Sequence, residues 1–312
     1  MTEPLDRLRA GTKADLSRAL AGLEQAEEAV ETATLLDAAF AAPRGHVLGL
    51  TGPPGVGKST LIRRLIGLWR DRGETVGVIA VDPTSQATGG ALLGDRTRFK
   101  TDPGDQGVFV RSMAARDRLG GLAALTFPAT MLMRALFDHV IVETVGVGQS
   151  ETDVGRIADT VIFCIQPGSG DSLQFMKAGI MEVPDIFLVT KADTGALADK
   201  AAADVEGALS LTTAPNDRAW MPPVLTVSAE RSTGLDAVLD AVTTHWQWLQ
   251  QADRLRRQRT AQARSWLDEA VKERFGTAGA ALVADLPAGM SGGGIFAARQ
   301  TMLAELEIRR RT

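Results

Sequence analysis

Cysteine is almost absent: Cys164 is the only one in 312 residues. No intrachain disulfide framework can form, which fits a reducing compartment. Long apolar runs are missing too. None approaches the roughly 20 residues that a bilayer-spanning helix needs. The opening MTEPLDRLRAGTKADL holds no apolar stretch of the secretory-signal kind. Neither sign of charge is in large excess. The net charge is −4, from 34 Lys+Arg and 38 Asp+Glu, so nothing general attracts the chain to nucleic acid or an anionic membrane. His46, His139 and His245 are far apart in sequence, and with one cysteine they offer no metal-ligand spacing. The expectation is a soluble, cytoplasmic chain.

What is present is a change of period along the chain. Residues 12–41 read as one or two helices, with Leu16, Leu20, Leu23, Glu27 and Val30 at helical spacing. Pro43-Arg44-Gly45 then breaks the chain. Seven short apolar runs follow, at 46–51, 76–82, 108–111, 139–144, 160–166, 186–190 and 224–228. They are continuous in hydrophobicity, as strands buried on both faces of a parallel sheet are. The stretches between them are long enough for helical crossovers. After Gly234 the pattern is helical again, through Leu235, Val238, Leu239, Val242 and Trp246, then Leu267, Val271 and Phe275. A glycine-rich break at 291–294 precedes a last helix with Met302, Leu303 and Leu306. Arg254, Arg256, Arg257 and Arg259 read first as a solvated helix face and second as a partner-binding face. The predicted architecture is α/β, a doubly wound, mostly parallel sheet with added helices. Its divisions are an N-terminal helical extension over 1–43, a nucleotide domain over 44–250 and a C-terminal helical region over 251–312.

The strongest motif is Gly52-Pro53-Pro54-Gly55-Val56-Gly57-Lys58-Ser59, which fits G-x-x-x-x-G-K-[ST]. An apolar run precedes it and a helical stretch follows, the context this phosphate loop requires. Glycines let backbone N–H groups converge on phosphate, and the helix N-terminus favours negative charge. Lys58 is expected on the β- and γ-phosphates, Ser59 on Mg²⁺, and Thr60 near the α-phosphate. Asp82 and Glu143 end predicted strands, so both carboxylates should face the loop. Asp95, on a glycine-containing loop, is a third acidic candidate. Mg²⁺ takes oxygen ligands and keeps several waters. Asp82, Asp95 and Glu143 are therefore candidates for the metal and for catalysis with Lys58. A strand-end acid can equally be a turn residue.

The base is read from two further strand ends. Thr190-Lys191-Ala192-Asp193 resembles the N/T-K-x-D motif. A carboxylate at Asp193 can accept from guanine N1–H and the exocyclic amino group, whereas adenine has no N1 donor. The Lys191 stem can lie over the base. Val227-Ser228-Ala229 resembles the S-A motif whose backbone N–H meets guanine O6, and Glu230 is a nucleotide-binding candidate beside it. The expected activity is hydrolysis of GTP to GDP and phosphate.

PPGVGKST, VDPTSQATGGALLGDRTR, VIVETVGVGQSE, PGSGDSLQFMKAGIMEVPD and TKAD together resemble the MeaB/ArgK-type GTPases, from about residue 15 to the end. The resemblance implies a G-protein chaperone that gates adenosylcobalamin loading and protects an acyl-CoA mutase, methylmalonyl-CoA mutase or a relative. The adenosylcobalamin belongs to the partner. It implies a homodimer, with the C-terminal helices as the natural arm. It also implies switch or partner roles for Gln149, Ser150 and Glu151, and for Asp171, Gln174 and Lys177. The i, i+3, i+6 spacing of that last trio also describes the exposed start of a helix. Competing readings are a nickel-insertion metallochaperone, a kinase linked to periplasmic amino-acid transport, and a non-hydrolysing scaffold.

Overall fold

The computed structural model describes residues 3–25, 29–83, 99, 101–115, 125–144, 153–168, 181–211, 220–284 and 294–311. Chain contacts divide it into two compact units. One unit comprises 46–123 and 139–255, the other 1–45, 124–138 and 256–312.

The first unit is built on seven parallel strands: β1 (His46–Thr51), β2 (Val76–Pro83), β3 (Val108–Ala115), β4 (His139–Glu143), β5 (Thr160–Ile165), β6 (Ile186–Val189) and β7 (Val224–Thr226). Each overlaps one of the apolar runs. Their spatial order is β3-β2-β4-β1-β5-β6-β7. The chain therefore leaves β1 in one direction, returns to it at β4, and leaves in the other direction through β5. Leu48 pairs in register with Ile141 and Thr160, and Leu50 with Glu143, so the strand ends are nearly level. Those ends are where ligands bind in a doubly wound sheet.

Burial explains the continuous hydrophobicity. Leu48, Leu50, Val78, Ile141 and Ile162 pack with Leu61, Leu65 and Trp69 of one helix and Val238 and Val242 of another. A separate cluster joins Phe163, Phe187 and Val189 to Ala198, Ala201 and Val205.

The described helices include α1 (Pro4–Arg9), α2 (Lys13–Gln25) and α3 (Val30–Ala41) before β1 in sequence, and α4 (Lys58–Asp71) after it. Later come α5 (Thr126–Arg134), α6 (Ala196–Leu211), α7 (Leu235–Gln250), α8 (Arg254–Ala284) and α9 (Ile295–Arg311). α8 is interrupted at Gly276, whose φ of 68° and ψ of −167° are not helical.

The stripe expected over 12–41 is two stripes. Leu16, Leu20 and Leu23 bury one face of α2, while α3 buries Ala33, Leu36 and Ala39. Val30 is 69% exposed at the first turn of α3, and Ala29 before it is extended, so a helix starts afresh at Val30; Glu27 lies outside the described residues.

In the second unit every residue of α5 is buried. Phe127 of α5 stacks on Trp266 of α8, with Phe296 tilted against both. Asp37 of α3 accepts hydrogen bonds from Phe296 N–H at 2.8 Å and Ala297 N–H at 3.0 Å, capping α9. A Cβ at Gly294 would lie 1.9 Å from Asp37 Cγ, so this approach needs glycine. Val271 meets Leu303 and Leu306 across α8 and α9. The arginine cluster is not one solvated face. Arg256 and Arg257 are exposed. Arg259 donates to the Gly45 carbonyl at 3.0 Å, and Arg254, which belongs to the first unit, lies over the Trp248 ring there.

Candidate nucleotide site

The turn after β1 is shaped by its neighbours. Gly52 has φ of +130°, and a Cβ there would lie 2.3 Å from the Cys164 carbonyl oxygen of β5. Only glycine fits where the loop crosses that strand. Gly57, with φ of 105°, precedes the first residue of α4. Lys58 is 6% exposed. Its ammonium donates to the Gly52 carbonyl at 2.6 Å and the Pro53 carbonyl at 3.1 Å, so it is held over the loop. Next to it, Ser59 Oγ donates to Glu143 Oε1 at 3.0 Å. Glu143 is buried at the end of β4. One residue on, the Thr144 hydroxyl donates to Thr51 Oγ1 at 2.9 Å and the Thr144 amide donates to the Leu50 carbonyl at 3.0 Å. Strand β4 is thus stitched to the chain entering the loop. Thr60 is exposed on α4.

The ends of β6 and β7 form a second cluster. The Thr190 hydroxyl lies 2.7 Å from the Val56 carbonyl and 3.1 Å from the Ile165 carbonyl. One proton is shared between two acceptors, which ties β6 to the phosphate loop. Lys191 adopts a left-handed φ of 52°, and its ammonium reaches Gln166 Oε1 at 3.0 Å. Asp193 Oδ1 accepts from Ser228 Oγ at 2.6 Å. That bond is the main reason the Asp193 carboxyl is held below its ordinary range, so the carboxylate form is favoured. Ser228 and Thr233 exchange backbone hydrogen bonds and close a tight turn over 228–233.

The family described as "Methylmalonyl Co-A mutase-associated GTPase MeaB" matches residues 16–283. The chain belongs to the MeaB family. It resembles a putative GTPase of Pyrococcus abyssi, 44% identical over 229 residues, which are 73% of this chain and 69% of that protein. GTPase ArgK of Escherichia coli is 38% identical over 280 residues, 88% of this chain and 84% of the other. A crystal structure of a LAO/AO transport system kinase aligns with a TM-score of 0.69 at 29% identity, over 99% of this chain and 96% of that one. This MeaB chain is a P-loop GTPase that binds and hydrolyses GTP.

Within the MeaB fold, two groups of expected residues come together. Ser59 of the Gly52 to Ser59 loop meets Glu143, and Asp193 meets Ser228. The backbone of Asp82 ends β2 beside Ala114 of β3; its side chain lies outside the described residues. Asp95, Gln149, Ser150, Glu151, Asp171, Gln174 and Lys177 lie outside them as well. The sequence reading missed Gln166, the Val56 bond to Thr190, and Arg64. Arg64 Nε donates to the Ala229 carbonyl at 2.8 Å and its Nη2 to the Glu230 carbonyl at 3.2 Å. No local pattern marks such residues, because their partners are distant backbone atoms or a lone amide.

The histidines, far apart in sequence, are not all far apart in space. His46 and His245 flank the Thr160 hydroxyl, each at 2.7 Å, below the opposite ends of the strands. Among the described residues no group of three or more His, Cys, Asp or Glu side chains could hold a metal ion. The phosphate loop offers a different kind of site. Ser59 Oγ and Glu143 Oε1 are hard oxygen donors already in contact, and Mg²⁺ needs only one or two protein ligands beside phosphate and water.

Proposed function

We propose that this MeaB GTPase is a magnesium-dependent chaperone of an adenosylcobalamin-dependent acyl-CoA mutase, methylmalonyl-CoA mutase or a relative. GTP binding and hydrolysis gate the loading of the partner's cofactor and protect the mutase during turnover. The observation that carries the reading is the Ser59–Glu143 hydrogen bond. It joins the residue beside Lys58 to the strand end that leads into 145–151, the segment of Gln149 and Glu151. A change at the phosphates therefore has a short physical route to a candidate partner segment. The family's name supports the mutase as client.

Lys58 and the amides of the loop, Gly52 to Ser59, hold the β- and γ-phosphates, and Thr60 follows toward the α-phosphate. Ser59 and Glu143 would hold Mg²⁺, with Asp82 and Asp95 completing the acidic set. Bound Mg²⁺ supplies charge neutralisation on the phosphate oxygens. Asp193 accepts from the guanine N1–H and amino group, Lys191 covers the base, and the 228–230 turn presents N–H groups to O6. Asp171, Gln174 and Lys177 form a second partner segment. The chain dimerises through its C-terminal helical region over 251–312 and works in the cytoplasm. No helix among the described residues is long and apolar enough to cross a membrane.

The test is co-purification with candidate adenosylcobalamin-dependent mutases in GTP and in GDP. Nucleotide-dependent binding and a mutase-stimulated GTPase rate are expected. No binding in either state would sink the chaperone reading. The transport-linked kinase reading keeps one support, the name of the solved relative. It requires the γ-phosphate to go to a protein hydroxyl, whereas the proposed reaction sends it to water.

A further inference from the structure

We infer that Arg64 is a positioning residue for guanine recognition. It acts by clamping the 229–230 backbone to the helix that begins at the phosphates. The inference rests on the proposed reading that the 228–230 turn receives the base. Arg64 lies in α4 six residues beyond Lys58, about 9 Å along the helix axis. Its fork meets two successive carbonyls, Ala229 at 2.8 Å through Nε and Glu230 at 3.2 Å through Nη2. A planar guanidinium with fixed donors sets direction as well as distance.

The peptide bonds here are trans. In a trans peptide the C=O and the following N–H point in opposite directions. With the Ala229 carbonyl drawn toward α4, the Glu230 N–H is aimed away from it. Neither Ala229 N–H nor Glu230 N–H has a hydrogen-bond acceptor among the described residues. The neighbouring Arg231 N–H is already engaged by Ser228 Oγ at 3.3 Å, and that same hydroxyl donates to Asp193. The turn is therefore fixed on both sides. Ser228 ties it to the carboxylate that reads the base edge, and Arg64 ties it to the phosphate helix. Two backbone donors remain for an acceptor such as guanine O6. Ala229 packs against the core cluster shared by α4 and α7, so the clamp acts on a supported segment.

The experiment compares GDP with 6-thio-GDP, by calorimetry, on the wild type, Arg64→Met and Arg64→Lys. The thio analogue keeps both donors for Asp193 and replaces O6 by sulfur, a weak acceptor. Arg64→Met is expected to weaken GDP about tenfold and 6-thio-GDP less than about threefold, because only the oxygen contact depends on the aimed N–H groups. Arg64→Lys, with one compact donor head, should recover part of the loss. Should Arg64→Met fold poorly, Arg64→Lys alone still gives the comparison, with a smaller gap in the same sense. Equal weakening of both nucleotides, or none, would overturn the inference and leave the guanine reading intact. A wild type that binds both nucleotides equally would overturn the O6 reading, and the Arg64 inference with it.

Discussion

The two edges of one sheet are built on opposite terms. At the C-terminal edge, the strands deliver groups aimed outward. Lys58 donates to the loop carbonyls of Gly52 and Pro53, Gly52 and Gly57 take left-handed angles, and the Ser228 hydroxyl is the main group that favours the Asp193 carboxylate. At the N-terminal edge, polar groups close on one another. Asp159 accepts from Val47 N–H and Asp185 from Val161 N–H, each at 2.8 Å. Thr160 joins His46 to His245. His46 stacks on Trp246, and His139 both stacks on Trp69 and meets Glu74 at 2.8 Å. The ligand-facing edge is built from loop backbone and strand-end side chains, while the other edge uses side-chain hydrogen bonds and ring stacking to hold strands together. Stability and activity should therefore come apart by edge.

The largest effect is expected from Lys58→Ala. GTP hydrolysis should drop by at least about a hundredfold, since the charge proposed to hold the phosphates is lost. The melting temperature should stay within a few degrees, as the bonds to the Gly52 and Pro53 carbonyls lie within one loop. A large fall in melting temperature would erase the contrast between the edges.

Asp193→Asn should weaken GTP binding by about tenfold or more and improve binding of XTP. An amide can donate to the xanthine C2 carbonyl where the carboxylate can only accept. Competition binding with the two nucleotides reads the exchange, and an unchanged preference would remove Asp193 from base recognition.

At the other edge the effects are on folding. Burial pushes the His245 imidazole from 6.5 down to about 4, against a smaller upward pull from Asp159. Its Nε2 is 3.4 Å from Asp185 Oδ1 but lacks the alignment of a hydrogen bond, so that carboxylate does not rescue the charged form. Between these two values the unfolded chain binds more protons than the folded one. The contribution is full above about pH 6.5 and falls as the pH drops toward 4, by about 3 kcal/mol at most. Denaturant melts across that window should show a shallower slope for His245→Gln than for the wild type.

Thr160→Val has the smallest expected effect. It removes one hydroxyl between two buried rings and should cost ~2 kcal/mol of stability with kcat unchanged. A changed kcat would mean that the two edges communicate.

These contrasts also explain what was legible beforehand. The strands could be read because each is buried on both faces and says so in an unbroken apolar run, as in Val-Ile-Phe-Cys-Ile of β5. The phosphate loop could be read because local spacing alone fixes its geometry. Arg64 and Thr160 could not. Arg64 bonds to carbonyls 165 and 166 residues away, and Thr160 to rings 114 and 85 residues away. Thr190 was legible only as the first residue of the motif that ends at Asp193. Its use, tying Val56 to Ile165, depends on how β5 and β6 lie beside the loop.

The cap on α9 has a consequence for how the chain is made. Asp37 and Phe296 are 259 residues apart, a gap that takes on the order of 10–50 s to translate. Helix α3 leaves the ribosome long before the helix it caps exists. Meanwhile its carboxylate has no native amide to hold, and the buried face of α3 waits for α9. The sheet unit, whose last strand ends at Thr226, can form earlier. Vectorial synthesis would then mature the nucleotide-binding half first and the helical half last, so a nascent chain stalled before residue 294 should bind GTP while its N-terminal helices are still open to proteolysis.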